Sequence, residues 1–336
     1  MKKNTAEFNL IRQSIDLFPA QIEQGYEQLM SMPWPKSYKS FKNIVICGMG
    51  GSALGFDLAR AALGDQIKIP IIINSGDTLP AFVNKDSLVI LSSYSGDTVE
   101  VLTCFKKVVG KARGFILAGG GSLSNMISSK TPGLKYEIDF NPSGQPRWGL
   151  GYSVGAFIAV LHRLGAVKMT RETLAQSNIT AVSNVELDGV VKKIHSRNIV
   201  TVAAEHLTGN AHVFTNQLNE TAKHTAFWLA SPELNHHFLE GLQRPAGLAK
   251  KTLTLLIMDS PLYSRQTQQR LKVLTAVIKK QGVPVEKINT AGRNRLQDSL
   301  LTLQTAARLC YNLSVKNEVD PIAIPWVDYF KDQLSS

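Results

Sequence analysis

The stretch Ser87-Leu88-Val89-Ile90-Leu91-Ser92-Ser93-Tyr94-Ser95-Gly96-Asp97-Thr98 joins an apolar run to a turn rich in hydroxyl side chains. The apolar part is typical of a strand buried on both faces, and helix-forming sequence follows the turn. A helix that begins in such a turn presents free backbone N–H groups and the positive end of its dipole. The stretch therefore indicates a cradle for an anion, although Ser and Asp are also common as simple helix caps.

A second stretch of the same build is Cys47-Gly48-Met49-Gly50-Gly51-Ser52, which follows the apolar run 43–46. It matches the GxGxxA pattern of dinucleotide sites, but the next strand-like run ends in Ile73-Asn74-Ser75-Gly76 and lacks the acid that binds ribose. No lysine follows either loop as in a nucleotide P-loop. We therefore expect Gly50, Gly51 and Ser52 to contact a sugar or a phosphate.

Apolar strand-like runs alternate with helical periodicity through most of the chain, which predicts an α/β fold with parallel sheets covered on both faces. In the first half, strands are predicted at 43–47, 69–74, 87–92, 113–118 and 134–138, and helices at 52–63, 97–110, 122–129 and 150–164. In the second half, strands are predicted at 198–204, 211–215, 252–258 and 284–289, and helices at 218–228, 265–281, 296–315 and 322–334.

These patterns divide the chain into a helical lead-in and two units. The lead-in covers 1–40, with two amphipathic helices broken near Pro19. The first unit is 41–188 and the second 189–336, with a polar helical stretch at 168–195 and a connector at 184–188. Both opening loops fall at the carboxyl ends of predicted strands, where open α/β sheets bind ligands.

Composition bounds the class of protein. The 336 residues are 44% hydrophobic and 19% charged, which describes a globular chain with an ample core. The formal charge of +11 suits nucleic acid, small anionic substrates or a merely basic surface equally well, but no Lys/Arg block is present. Three distant cysteines without metal-binding spacing, and the absence of a signal-peptide core or spanning segment, predict a cytoplasmic protein without structural zinc.

Candidate catalytic groups lie outside the two opening loops. Arg147 stands in a Pro/Gly-rich loop at 141–149, where a cation can stabilise an oxyanion. Glu220 is expected near a helix start with Lys223 one turn on, and Glu233-Leu234-Asn235-His236-His237 supplies histidines. A glutamate with a histidine suits general acid–base chemistry. Taken singly, each of these residues is more typical of a surface charge, a helix-start acid or an exposed loop.

Together the motifs resemble the bifunctional phosphoglucose/phosphomannose isomerases, which are built from two sugar isomerase (SIS) domains. The resemblance runs from about residue 40 to the C-terminus. It implies two doubly wound, mainly parallel sheets of flavodoxin-like topology, no cofactor and no metal. The stretches that carry it are 48–52, Leu79-Pro80-Ala81-Phe82-Val83, 93–98, Pro146-Arg147, Asn219-Glu220 and Glu233-Leu234-Asn235-His236.

The resemblance also implies a role for each matching residue. Glu220 would move a proton between C1 and C2 of a hexose 6-phosphate, and Arg147 would lie beside the enediolate. His236, from the partner subunit of an obligate homodimer, would open the ring with the help of Lys331. The implied contacts to substrate are Ser93, Ser95 and Thr98 for the phosphate and Gly50, Gly51 and Ser52 for the sugar.

The second half departs from the family pattern at Phe238, which replaces a glutamate, and at Ile322, which replaces a threonine. These changes bear on the mannose activity and on Lys331. A non-catalytic SIS protein that senses a sugar phosphate is the alternative, and it would need no Glu220 and His236. An amino-sugar phosphate enzyme would require a nitrogen-donor site that the sequence does not show. The favoured hypothesis is a cytoplasmic aldose–ketose isomerase that acts on hexose 6-phosphates and binds neither nucleic acid nor membrane.

Overall fold

The structure is a computed structural model that describes residues 5–177, 184–289 and 292–335. Helices and strands alternate in both halves, as the α/β prediction requires. The first half contains α1 (Thr5–Asp16), α2 (Phe18–Ser31), β1 (Asn43–Cys47), α3 (Gly51–Ala62), β2 (Ile71–Asn74), β3 (Ser87–Ser93), α4 (Val99–Val108), β4 (Arg113–Ala118), α5 (Gly121–Asn125), β5 (Gly133–Lys135), α6 (Leu150–Arg163) and α7 (Arg171–Ser177). The second half contains α8 (Asn184–Ile194), β6 (Asn198–Ala204), α9 (Thr208–Glu220), β7 (Ala226–Ser231), α10 (Phe238–Gly241), α11 (Leu248–Thr252), β8 (Leu253–Asp259), α12 (Arg265–Lys280), β9 (Val285–Asn289), α13 (Arg295–Lys316) and α14 (Pro325–Ser335).

The first sheet has five parallel strands in the order β2-β1-β3-β4-β5. This is the flavodoxin-like order, so the prediction of a doubly wound sheet is confirmed. Every residue of β3 is buried, which explains why its sequence is apolar throughout rather than alternating. Because Cys47 pairs with Leu91 in the register, the two predicted ligand loops leave the same edge of the sheet.

The second sheet has four parallel strands in the order β7-β6-β8-β9, which repeats the first four positions of the first sheet. Two predictions in this half are wrong. Residues 211–215 lie inside helix α9, and the strand β7 occupies part of the helix predicted at 218–228. Val213 and Phe214 are buried on a helix face, and a short apolar run of this kind reads equally well as a strand.

The lead-in helices match their prediction and pack against both halves. Pro19 lies in the first turn of α2, where its missing N–H is harmless. Helix α2 packs closely on α6, because a Cβ on Gly155 would stand 1.9 Å from the carbonyl oxygen of Ile22. Asp16, the last residue of α1, pairs with Arg308 of α13 at 2.8 Å. The lead-in therefore bridges the two units.

The predicted connector at 184–188 is instead the first part of helix α8. This helix packs on α13, where the amide of Asn312 donates to Asp188 at 3.0 Å. Part of the helical stretch predicted at 168–195 forms α7 and α8, and residues 178–183 lie outside the described residues. Leu187 is buried and Asp188 is exposed, as expected of an amphipathic helix rather than a loop.

Helices α3 and α9 join the two units. A Cβ on Gly209 would stand 2.5 Å from Cα of Leu58, so only a glycine allows this approach. On the same side, Nδ1 of His212 lies 2.9 Å from a carboxylate oxygen of Asp57. The largest hydrophobic cluster contains buried residues from both sheets, so the two units share a core. None of the described helices has the length and apolar character needed to cross a membrane.

Candidate active site

The hydroxyl-rich turn after β3 is folded around Ser93. The Ser93 hydroxyl is fully buried, lies 2.8 Å from that of Thr98, and accepts the backbone N–H of Gly96 at 2.9 Å. The Ser95 hydroxyl is 3.5 Å from it, and Thr98 is the N-cap residue of α4. The turn thus gathers three hydroxyl groups at the start of a helix, which is the arrangement predicted for anion binding.

The turn is fixed from outside by the loop before α5. Gly96 has a φ of +84°, and a Cβ there would collide with the carbonyl oxygen of Gly120 at 1.7 Å. Asp97 accepts the backbone N–H of Ser122 at 2.8 Å, and the hydrogen bonds from Ser122 lower the pKa of this carboxyl below its usual range. The Asp97 carboxylate therefore stabilises the loop before α5 rather than binding a ligand.

The glycine-rich turn after β1 packs on the loop that carries Arg147. A Cβ on Gly51 would stand 2.8 Å from the carbonyl oxygen of Pro146, and Gly50 has a φ of +50°. The hydroxyl of Ser52 accepts the backbone N–H of Tyr94 at 2.7 Å. Ser52 therefore joins the two predicted ligand loops. This structural role was not predicted, because the sequence indicated only a contact with a sugar or a phosphate.

Arg147 is buried in a short 3-10 turn at Pro146–Trp148, and its guanidinium donates four hydrogen bonds. It donates to the amide oxygen of Gln145 at 2.9 Å and to the hydroxyl of Thr221 at 3.1 Å. It also donates to the carbonyl oxygens of Pro321 and Ile322, both at 2.8 Å. The planar fork thus connects the first unit to the end of α9 and to the segment before α14.

Glu220 is the last residue of α9, not a residue near a helix start as predicted. The cause is the misassigned strand at 211–215, which moved the predicted helix start past its true position. Oε2 of Glu220 lies 3.6 Å from Nη1 of Arg147, and about a third of the Glu220 side chain is exposed. The structure thus brings together a partly exposed carboxylate and a buried cation from opposite halves of the chain.

Lys223 also belongs to this cluster, although no role was predicted for it. Its Nζ donates to the backbone carbonyl of Glu220, and its φ of +50° is unusual for a residue with a side chain. Burial and the neighbouring charge of Arg147 lower the pKa of Lys223 below that of a free lysine. Nothing in the sequence signals this backbone conformation, so only the structure identifies the residue.

The side chains around Arg147 are largely shielded from solvent. Burial lowers the pKa of Arg147, while the charges of Glu220 and Asp320 act in the opposite direction. The thiol of Cys310, which donates to the carbonyl of Gln217 at 3.2 Å, is fully buried, and burial raises its pKa to about 12. In such surroundings a charge interacts more strongly with a bound anion than it would in water.

His236 ends a 3-10 turn at Glu233–His236 and is exposed. Within the described part of this chain, no hydrogen bond or ion pair joins it to Arg147 or Glu220. Lys331 lies on the exposed helix α14. The structure of one chain therefore assembles Arg147 and Glu220, and it leaves the roles of His236 and Lys331 as predictions.

No group of three or more His, Cys, Asp or Glu side chains in a metal-binding arrangement occurs among residues 5–177, 184–289 and 292–335. All three cysteines are buried and free. The acid–base groups at the site are thus a carboxylate and basic side chains.

The two parallel sheets share the order of four strands, and a cluster of hydroxyl groups follows β3 in the first sheet. Residues 188–334 match the family model for the bacterial phospho-glucose isomerase C-terminal SIS domain. In structure, the chain is similar to the tagatose-6-phosphate ketose/aldose isomerase of Escherichia coli, with a TM-score of 0.68 at 15% identity over 93% of this chain and 94% of the other. This likeness concerns the fold.

Two curated relatives are similar to this chain over nearly its whole length, and both have the same name. A bifunctional phosphoglucose/phosphomannose isomerase of Caldicellulosiruptor bescii is 25% identical over 96% of this chain and 98% of its own length. Another of the same name, from Aquifex aeolicus, is 28% identical over 93% of this chain and 97% of its own. The chain is a homologue of the bifunctional phosphoglucose/phosphomannose isomerases, and the resemblance noted in the sequence is confirmed.

Proposed function

We propose that the protein is a cytoplasmic aldose–ketose isomerase that interconverts fructose 6-phosphate with glucose 6-phosphate and with mannose 6-phosphate. The observation that carries the proposal is the pairing of Glu220 with the buried Arg147 at 3.6 Å. A sensor needs a phosphate cradle but no carboxylate beside a desolvated cation. The names of the full-length relatives support the same substrates.

The hydroxyls of Ser93, Ser95 and Thr98 hold the substrate phosphate, and the start of α4 adds its dipole. Gly50, Gly51 and Ser52 line the sugar side of the cleft. Phosphate binding far from the reacting carbons orients C1 and C2 against groups on the second unit. The hydrogen bond between Ser52 and Tyr94 keeps the two loops at a fixed spacing during this step.

Glu220 takes the proton from C2 of the aldose and returns it to C1, through a cis-enediolate. Its carboxylate is 3.6 Å from Nη1 of Arg147, longer than a hydrogen bond, so it stays free to receive the proton. The Arg147 guanidinium stabilises the negative charge that develops on the enediolate oxygens. Return of the proton to either face of C2 yields glucose or mannose 6-phosphate.

His236 opens the ring, and in this proposal it comes from the partner subunit of a homodimer. Two observations support a partner. His236 is exposed, and α14 exposes a row of large apolar side chains that a soluble monomer rarely leaves uncovered. The row follows helical spacing and consists of Trp326, Tyr329, Phe330 and Leu334. Lys331 lies on the same helix, so docking of α14 would bring it to an interface.

The departure from the family pattern at Ile322 leaves the contact with Arg147 in place. Arg147 binds the backbone carbonyl of Ile322 rather than its side chain. The other departure, Phe238, begins the short helix α10 directly after His237. The Ile322 carbonyl can accept this hydrogen bond whatever the side chain, which supports retention of proton transfer.

The test is a solvent-isotope assay. Fructose 6-phosphate is incubated with the purified protein in D₂O without added metal, and the hexose 6-phosphates are analysed by NMR. We expect glucose and mannose 6-phosphates that carry deuterium at C2. The Glu220→Gln variant should still bind fructose 6-phosphate but lose about 10²–10⁴-fold in turnover. Binding without exchange by the wild-type protein would favour the sensor, and full turnover by Glu220→Gln would refute the assignment of the base.

A further inference from the structure

A large open groove of about 1300 Å³ lies in the second unit, away from the Arg147–Glu220 pair. It runs between helix α12 and the carboxyl ends of β8 and β9, where Asp259 and Asn289 are neighbours in the register. None of the residues assigned to the isomerase site contributes to it. Its lining consists of Asp259, Ser260, Pro261, Arg265, Gln266, Gln268, Gln269, Arg270, Leu271, Lys272, Thr275, Lys287 and Asn289.

The groove is strongly basic. It contains four cationic side chains and one acid, and Nζ of Lys287 neutralises that acid, Asp259, at 2.6 Å. The other three cations are Arg265, Arg270 and Lys272, and none of them forms an ion pair or side-chain hydrogen bond with the described residues. Three unpaired positive charges along one wall favour a ligand with several negative charges.

The rest of the lining is suited to a polyhydroxylated ligand. The amides of Gln266, Gln269 and Asn289 and the hydroxyl of Thr275 both donate and accept hydrogen bonds. Among the described residues that line the groove, Pro261 and Leu271 are apolar and none is aromatic. Single-stranded nucleic acids are usually held by bases stacked on aromatic side chains, so this groove is poorly suited to them.

The position of the groove corresponds to that of the phosphate cradle in the first unit. Both sheets have the order 2-1-3-4, and β8 stands where β3 stands in the first sheet. Helix α12 therefore corresponds to α4, and its N-cap Ser264 corresponds to Thr98. Ligands of open α/β sheets bind beyond this edge. The cations of the groove replace the hydroxyl cluster of the first unit.

We infer that this groove is a second ligand site, which binds a sugar bisphosphate. Two phosphate groups carry a charge that matches the three unpaired cations, and the amides hydrogen-bond the hydroxyls between them. Arg265 and Lys272 are seven residues apart on α12, so they lie on one face about two helical turns from each other. That spacing suits phosphates at the two ends of one sugar.

The test uses fructose 1,6-bisphosphate as the probe, titrated calorimetrically into the full-length protein saturated with fructose 6-phosphate. We expect binding to persist, because the monophosphate occupies only the cradle of the first unit. The variant Arg265→Gln/Lys272→Gln should weaken the bisphosphate about tenfold or more. The matched control is Lys279→Gln/Lys280→Gln, which removes two exposed charges from the same helix outside the groove and should leave affinity unchanged.

Several results would overturn the inference. These are displacement of the bisphosphate by fructose 6-phosphate, equal weakening in the two double variants, or absence of binding. Displacement by single-stranded RNA that itself depends on Arg265 and Lys272 would identify a nucleic-acid surface instead. A change of oligomeric state in Arg265→Gln/Lys272→Gln would show that a second copy of the chain fills the groove. Circular dichroism verifies that both variants are folded, and none of these measurements requires turnover.

Discussion

Nη1 of Arg147 lies 3.6 Å from Oε2 of Glu220, which is longer than a hydrogen bond. The four hydrogen bonds of the guanidinium go to uncharged oxygens instead. The cation is thus held in place without a tight bond to the carboxylate. A closer, bidentate pair would occupy both carboxylate oxygens of Glu220, which in the proposed reaction must accept a proton. The separation leaves the carboxylate reactive beside a fixed positive charge.

Replacement of Arg147 by lysine should reduce both activity and stability. Lysine keeps the charge but has three donors in place of the fork that satisfies Thr221, Pro321 and Ile322. We expect a loss of about 10²-fold or more in kcat and about 1–3 kcal/mol in the free energy of unfolding. Steady-state kinetics and urea unfolding measure the two. The control is Arg12→Lys on the exposed face of α1, and equal kinetics in both variants would contradict the role of Arg147.

Replacement of Thr98 by valine should weaken phosphate binding while leaving proton transfer intact. Valine has nearly the shape of threonine but lacks the hydroxyl that lies 2.8 Å from Ser93 Oγ. We expect KM for fructose 6-phosphate to rise about tenfold with a smaller change in kcat. Thr98→Ser keeps the hydroxyl and should remain near wild type. If KM rises as much in Thr98→Ser as in Thr98→Val, the hydroxyl is not what determines phosphate binding, and its proposed contact with the phosphate is refuted.

Substitutions at Lys223 separate its amine from its backbone conformation. Lys223→Gly and Lys223→Met both lose the hydrogen bond to the Glu220 carbonyl, and only glycine adopts the φ of +50° without strain. Both substitutions should lower kcat to a similar degree. The free energy of unfolding of Lys223→Gly should be about 1 kcal/mol higher than that of Lys223→Met. Normal kcat in either variant would show that the amine does not position Glu220.

The lowered pKa of Lys223 also predicts a pH effect. Because burial and Arg147 disfavour the charged amine, Lys223 loses its proton at a pH below that of a free lysine. Activity that depends on this charge is present at lower pH and falls as pH rises through the lowered pKa. The alkaline limb of kcat should therefore move to higher pH in Lys223→Arg, which stays charged. An unchanged limb would exclude Lys223 as its origin.

Mixed dimers test whether His236 acts across the subunit interface. Glu220→Gln and His236→Asn should each be inactive alone. When they are unfolded together and refolded, half of the dimers are mixed, and each mixed dimer has one site with both groups intact. Activity should then return to about a quarter of the wild-type value. Without recovery, His236 and Glu220 of one chain would have to act together.

Substitution of Gly209 by alanine should destabilise the fold through the contact between α3 and α9. The added Cβ would stand 2.5 Å from Cα of Leu58, and backbone atoms cannot move aside cheaply. We expect a loss of about 1–3 kcal/mol in urea unfolding. The control is Gly189→Ala on the exposed face of α8, where no atom lies within 4 Å and alanine favours the helix. Equal stability of the two variants would contradict the packing role.

The sequence predicted the first sheet well, because buried parallel strands such as β3 are apolar throughout and end in glycine- or hydroxyl-rich turns. The second unit was predicted less well where Val213 and Phe214 form a helix face that resembles a short strand. That error placed Glu220 near the wrong end of a helix. Arg147 and Glu220 were found through family resemblance, whereas their contact depends on long-range packing that no local pattern encodes.

Other features of the site could not be predicted from the sequence. The conformation of Lys223 arises where α9 ends against Arg147, and lysine itself has no preference for a positive φ. The hydrogen bond from Tyr94 to Ser52 joins two loops that are distant in sequence, so it became visible only once both strands were paired. His236 is exposed, and its proposed role across a subunit interface stays a prediction.

The close contact between Gly209 and Leu58 has a consequence for substrate size. Helix α3 begins at Gly51, beside the phosphate loops, and α9 ends at Glu220, so their fixed crossing sets the distance from cradle to base. If the proposed reaction takes place here, this fixed distance selects substrates by the number of carbons between the phosphate and the reacting atoms. A pentose 5-phosphate, one carbon shorter, would be gripped as firmly as a hexose 6-phosphate, yet its reacting carbons would stop short of the carboxylate.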